Sequence, residues 1–202
     1  MIESLKADFI TARINLYYSL DEISISTQLK GSYKNTANIN EIKNSYLSLC
    51  FKTCYSILDK IGMATIKALE IDIDGFLKVK RTSKRKTAKI YFLNMWDMGA
   101  IKDLHFYNNY YLTSLFSIAK DLDHSEFSAL KDFKHIRNKL EHGSIKIFQG
   151  YRQPKRQTGK DQFYKKDLVE KTLLLLMLTK SAIFTFTYLI RKQSAILTNQ
   201  DN

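Results

Sequence analysis

Apolar residues recur at three- and four-residue steps through most of the chain, which is the spacing of one helix face. Ile2, Leu5, Phe9, Ala12, Leu16 and Leu20 mark a first amphipathic helix that ends near Asp21. Ser24 to Ala37, rich in Ser, Thr, Asn and Gly, reads as a loop. A second helix is expected from Asn40, with Tyr46, Cys50, Cys54, Leu58 and Ile61 on one side and Gly62 near its end. Asn108 to Leu122 predicts another, with Tyr111, Leu112, Leu115, Phe116 and Ala119 inward; Asn109 is read as its cap rather than as a site residue. Asp123-His124-Ser125-Glu126 has the capping-box pattern, so a further helix should open there. It would carry Phe127, Leu130, Phe133, Ile136 and Leu140 and stop at Gly143.

The last apolar stretch, Thr172 to Ile190, is long enough to span a bilayer. Lys180 at its middle, with Thr179, Ser181, Thr185 and Thr187, argues against that, since a charge at the bilayer centre is costly. A central helix of a soluble bundle, apolar nearly all round, is the expectation. Proline occurs once and glycine seven times, and β proteins lean on both for turns, so the fold class expected is all-α, a single helical domain over residues 1–202. No basic segment followed by an apolar run opens the chain, which predicts a cytoplasmic protein with no membrane partner. Cys50 and Cys54 lack the companion spacing of a zinc site and read as small core residues.

Chemistry concentrates at Arg137-Asn138-Lys139-Leu140-Glu141-His142. At about 100° per residue Arg137 falls between Leu130 and Phe133, inside the apolar stripe, where an unpaired guanidinium would cost several kcal/mol. It therefore needs an anion. Glu141 at i+4 is one choice, and a phosphate held bidentately is the other. Asn138 and His142, four apart, share the adjoining edge. Arg137 and His142 point about 140° apart on a regular helix, so they cooperate only if the last turn unwinds at Gly143 or a second subunit completes the site.

A net charge of +12 suits a polyanionic partner. Seven basic residues crowd Lys78 to Lys89, among them Lys80, Arg81, Lys84, Arg85 and Lys86, and a second basic stretch, Tyr151 to Lys160, holds Arg152, Lys155 and Arg156. Each is either a solvated segment or a nucleic-acid contact, with Tyr91, Phe92 and Trp96 available to stack on bases or to fill the core. The acidic run Glu70 to Gly75 is not a calcium loop, because Arg81 stands where a bidentate Glu is needed; a turn is the better reading.

The Arg-Asn-x-x-x-His string at the end of an apolar helix resembles the signature of the HEPN superfamily, helical domains found in many prokaryotic toxins and defence proteins. Phe51 to Ile61 looks like the second long helix of a bacterial HEPN clade, and Leu168 to Ile190 like its closing helix, so the resemblance spans roughly the whole chain. It implies an all-α, HEPN-like bundle with two basic loop insertions, acting as a homodimer that joins two motifs. It also implies RNA cleavage without metal or cofactor, His142 as general acid or base, Arg137 on the phosphate and Asn138 positioning an oxygen or the histidine. Asp59, Lys60 and Glu141 are the supporting candidates; Asp59 in particular would orient Arg137 or His142 across the bundle, where otherwise Asp59 and Lys60 are a solvated or ion-paired helix end. The alternative is a non-catalytic dimer that binds nucleic acid or protein, and a third reading is a toxin silenced by an antitoxin. An open polar cleft at His142 favours the enzyme; burial of Arg137 against Glu141, with His142 facing away, favours the module.

Overall fold

The computed structural model describes residues 1–21, 36–71, 91–97, 109–124, 132–142, 145–148 and 162–200. Five helices dominate them: α1 (Ile2–Leu20), α2 (Thr36–Ala68), α3 (Tyr110–His124), α4 (Phe133–His142) and α5 (Lys165–Gln200). The architecture is an all-α bundle, as the periodicity predicts. One short addition is a pair of three-residue parallel strands, β1 (Lys146–Phe148) and β2 (Gln162–Tyr164), with Ile147 opposite Phe163. Three residues are too few for alternation to register in a sequence. Both basic stretches lie outside the described residues.

The helix α2 is the spine, with α1, α4 and α5 packed on it and α3 packed on α5 and α4. It begins at Thr36, ahead of Asn40, and it does not stop at Gly62 but runs on to Ala68. The stop is supplied further on, where Glu70 takes a left-handed φ of 51° and Ile71 N–H donates to the Ile66 carbonyl at 3.1 Å. That is a Schellman closure made without glycine, so its sequence signature is missing. Gly62 has a different task. A Cβ there would meet Met95 Sδ and Phe92 Cα at 3.0 Å, so the bare backbone lets the segment 91–97 lie directly on α2.

The core is aromatic where three elements meet. Phe51 of α2 stacks on Phe133 of α4 with centroids 5.7 Å apart, and Trp96 meets Phe92 and Phe116 edge-on at 5.9 and 5.6 Å. Phe92 and Trp96 are therefore core residues and not a platform for bases. Cys50 and Cys54 are fully buried free thiols, and hydrogen bonding between them and then burial push the Cys54 thiol far above its ordinary value. Their core role holds. Asn109 caps α3, its Oδ1 accepting from Leu112 N–H at 3.2 Å.

Two expectations are corrected. Asp123 and His124 end α3 instead of opening the motif helix, which starts only at Phe133. Asp132, at a left-handed φ of 76°, precedes it and accepts from Ile136 N–H at 2.8 Å. Asp123 serves the neighbouring helix from outside, pairing with Lys134 at 2.5 Å. The other correction concerns α5, which is not buried all round. Over Lys165–Ala195 it is long and apolar enough to cross a membrane, with 33% of its most apolar window buried. Leu168, Leu175, Ala182, Phe186 and Leu189 face the bundle, while Leu173, Met177, Phe184 and Tyr188 are exposed. Helices α1, α2 and α3 pack on α5, and one-sided packing covers one stripe only. Thr172 and Thr179 enter that stripe by donating their hydroxyls to the Leu168 and Leu175 carbonyls at 2.6 and 2.8 Å. Lys180 stays exposed beside Phe184.

Candidate functional site

The site is built on α4, whose ten residues place Phe133, Ile136 and Leu140 against the core. Arg137 shares that buried face, as its spacing predicts, and is only 8% exposed. Its anions are both protein carboxylates. Nη2 donates to Asp59 Oδ2 of α2 at 2.6 Å, and Nε donates to Glu141 Oε1, one turn on, at 3.2 Å. The guanidinium also lies between two rings, 4.9 Å from the Tyr55 centroid and 4.8 Å from that of Tyr91. Two charge-assisted hydrogen bonds and two aromatic faces together make the burial of a cation tolerable.

Asp59 joins three elements. One carboxylate oxygen holds Arg137, while Oδ1 accepts from Phe92 N–H at 2.9 Å, drawing the segment 91–97 onto α2. Gly62, one turn beyond Asp59, provides the clearance for that approach. Burial pushes the Asp59 carboxyl above its ordinary value, and Arg137 together with the Phe92 N–H pulls it back only in part. Burial likewise raises the Tyr55 hydroxyl, whose oxygen has no hydrogen-bond partner among the described residues.

The other candidates divide. Asn138 is exposed and faces solvent beside the motif. His142 is the last residue of α4, and its side chain lies outside the described residues. Glu141 is half-exposed and pairs with Arg137, as the i+4 spacing allows. Asp59 reaches across the bundle to Arg137. Lys60 does not join them: its Nζ turns to α1 and pairs with Asp8 at 2.6 Å, because successive helical residues point about 100° apart. Lys80, Arg81, Lys84, Arg85, Lys86, Arg152, Lys155 and Arg156 are outside the described residues.

Sequence reasoning missed the aromatic clamp. Tyr55 stands four residues before Asp59 on the same face of α2, which is a signal that could have found it. Tyr91 arrives from a separate segment and gave none. Beside the network opens a cleft of about 560 Å³ lined by Lys52, Ser56, Asp59, Lys60, Lys67 and Glu141, among others. Arg137 is thus walled in on its protein side and separated from the cleft by its two carboxylates.

An all-α bundle in which an acid of the spine helix grips an arginine on a short helix, closed by a long apolar helix, is consistent with a HEPN-like domain. The chain belongs to the LA2681-like HEPN family, whose model matches residues 1–193. No curated protein and no solved structure matches it significantly. Membership suggests a nuclease or a nucleic-acid-binding module, and HEPN domains are often ribonucleases.

Proposed function

We propose that the protein is an endoribonuclease that cleaves single-stranded RNA without a metal, by attack of a ribose 2′-hydroxyl on the adjacent phosphate. The observation that carries this reading is the inequality of the two anions on Arg137. Asp59 is close, three-quarters buried and held also by a backbone N–H, whereas Glu141 is at 3.2 Å, 39% exposed and part of the cleft wall. A phosphate arriving through the cleft replaces Glu141 on Nε while Asp59 keeps the guanidinium in place. The exchange costs little, because a half-exposed carboxylate recovers its hydration on leaving.

The reaction then needs only positioning, charge and protons. The 2′-oxygen forms a bond to phosphorus and loses its proton, the bond from phosphorus to the 5′-oxygen breaks, and that oxygen takes up a proton. His142 serves one of these transfers, imidazole being the side chain whose unperturbed charge change lies nearest neutral pH. Two transfers call for two such groups, so we place the working form as a homodimer in which each motif helix supplies one His142, with the solvent-facing Asn138 positioning an oxygen. The +12 charge supports an RNA partner, and Lys180, exposed midway along the apolar stretch of α5, argues against insertion of that helix in a bilayer. A role as a toxin or defence effector, restrained by an antitoxin or a larger partner, is the setting the family resemblance suggests.

The test is incubation of the purified protein, with chelator present, on a mixed single-stranded RNA and its DNA counterpart, beside the His142→Ala variant. Cleavage of RNA alone, leaving 2′,3′-cyclic phosphate ends and vanishing in the variant, is the expected result. One observation favours the second reading, a non-catalytic binding module: Arg137 is 8% exposed and already holds two carboxylates and two rings. Salt-sensitive RNA binding with no cleavage, unaltered by His142→Ala, would establish that module instead.

A further inference from the structure

The spine helix carries a largely polar stripe of which the site itself uses only Asp59. Glu41, Ser45, Ser48, Lys52, Ser56, Asp59, Met63 and Lys67 follow one another at three- and four-residue steps, so they share one face of α2 over about 39 Å at a rise of about 1.5 Å per residue. Two clefts lie along that face. One, of about 750 Å³, is lined by the first part of the stripe with Leu140, Ile145, Lys146 and Ile147 opposite. The other, of about 560 Å³, is lined by the second part with Glu141 opposite. Lys52 lines both. The end of α4 stands at their junction, since Leu140 walls one cleft, Glu141 walls the other and His142 comes next.

We propose that these two clefts are one continuous track for single-stranded RNA along α2, with Lys52 as the phosphate contact at its centre, under the end of the motif helix. This rests on the ribonuclease reading for its polarity of purpose, but the track itself is a binding site. The charges decide the class of ligand. Lys52, Lys67 and Lys146 have no partner among the described residues, whereas of the acids on the central wall Asp59 stays on Arg137 and Glu141 is the one an arriving phosphate displaces. Lys60 is in turn neutralised by Asp8. Unpaired lysines spaced along a trough wall gain by releasing counterions from a phosphate chain, and a mononucleotide is far too short to reach from Lys52 to Lys67, about 22 Å along the helix. Ser48 and Ser56 add uncharged donors, Ser45 giving its hydroxyl proton to the Glu41 carbonyl, and Leu49, Ile145 and Ile147 give an apolar floor for sugar and base faces. Glu41 marks the outer limit, a carboxylate no phosphate would approach.

The track is tested by fluorescence anisotropy with a labelled single-stranded RNA, in a His142→Ala background and over a series of salt concentrations, beside cleavage assays in the otherwise wild-type protein. Lys52→Glu should weaken binding more than about tenfold, and Lys52→Ala should lower the slope of log affinity against log salt by about 0.7, the value for one phosphate contact on a single strand. Lys67→Glu should weaken binding several-fold, and Lys180→Ala, on α5 in a different groove, should change nothing. Both lysines of the track are exposed on a helix, so their variants fold. If wild type cleaves and binds RNA while Lys52→Glu and Lys67→Glu do so equally well, the track is wrong and the ribonuclease stands. If binding depends on Lys52 but no RNA is cleaved, the track stands and the ribonuclease falls. Absence of any RNA binding overturns both.

Discussion

Two neighbours on the spine helix, Asp59 and Lys60, each form an ion pair of 2.6 Å with another helix. Distance does not distinguish them, but their surroundings do. The side chains of Arg137 and Asp59 are 9% and 25% exposed, against 48% and 31% for Lys60 and Asp8. In the first pair, removing one partner strands a largely buried charge; in the second, water takes the partner's place. One pair joins three elements around the candidate site and the other lies on the surface, although the sequence writes Asp59 and Lys60 as adjacent residues of opposite charge.

The largest effect should follow Arg137→Met, which leaves the three-quarters-buried Asp59 without its counter-ion. A loss of about 3–5 kcal/mol is expected in urea unfolding at neutral pH, and recovery of near wild-type stability in Arg137→Met/Asp59→Asn would be the signature of a stranded charge. A smaller loss, near that of Lys60→Ala, would erase the contrast between the two pairs. Gly62→Ala comes next, at about 1–3 kcal/mol of destabilisation from the clash with Phe92 Cα, despite the better helix propensity of alanine. The same variant should disturb the Asp59 contact with Phe92, and stabilisation instead would mean that the segment 91–97 yields freely.

The pH dependence sharpens the comparison further. The Asp59 carboxyl is raised in the folded protein, so the fold retains a proton that the unfolded chain has already released. Its contribution is fully present below the ordinary carboxylate value and is lost as pH rises through the raised one. Stability measured across that acidic window should therefore fall less with rising pH in Asp59→Asn than in wild type. In Arg137→Met the window should extend upward, because the guanidinium that pulls the carboxyl down is gone. The smallest effect belongs to Lys60→Ala, under about 1 kcal/mol and shrinking with added salt. An equal loss in high salt would show that this pair is not the screened surface contact its exposure describes.

Much of this was legible in advance. The helical class, the placement of Arg137 on a buried face, its i+4 contact with Glu141 and the core role of both cysteines follow from spacing and residue type alone, because the 3.6-residue period binds sequence to face within one helix. The errors share one cause. Asp123 reads as a helix cap and ends α3 instead; Gly62 reads as a stop and is a point of close approach; α5 reads as buried all round and is covered on one side. In each, a local signal was sound chemistry whose meaning depends on what packs against it.

What the sequence determined by itself is which residues share a face and which of them need a partner: a guanidinium among apolar side chains demands an anion wherever it is placed. Only the tertiary structure decided which anion. It brought Asp59 from α2, turned Lys60 away to α1, and closed two tyrosines from distant segments around the cation. Choices of that kind depend on crossing helices and on clearances of an ångström, and the periodicity within a helix carries no information about either.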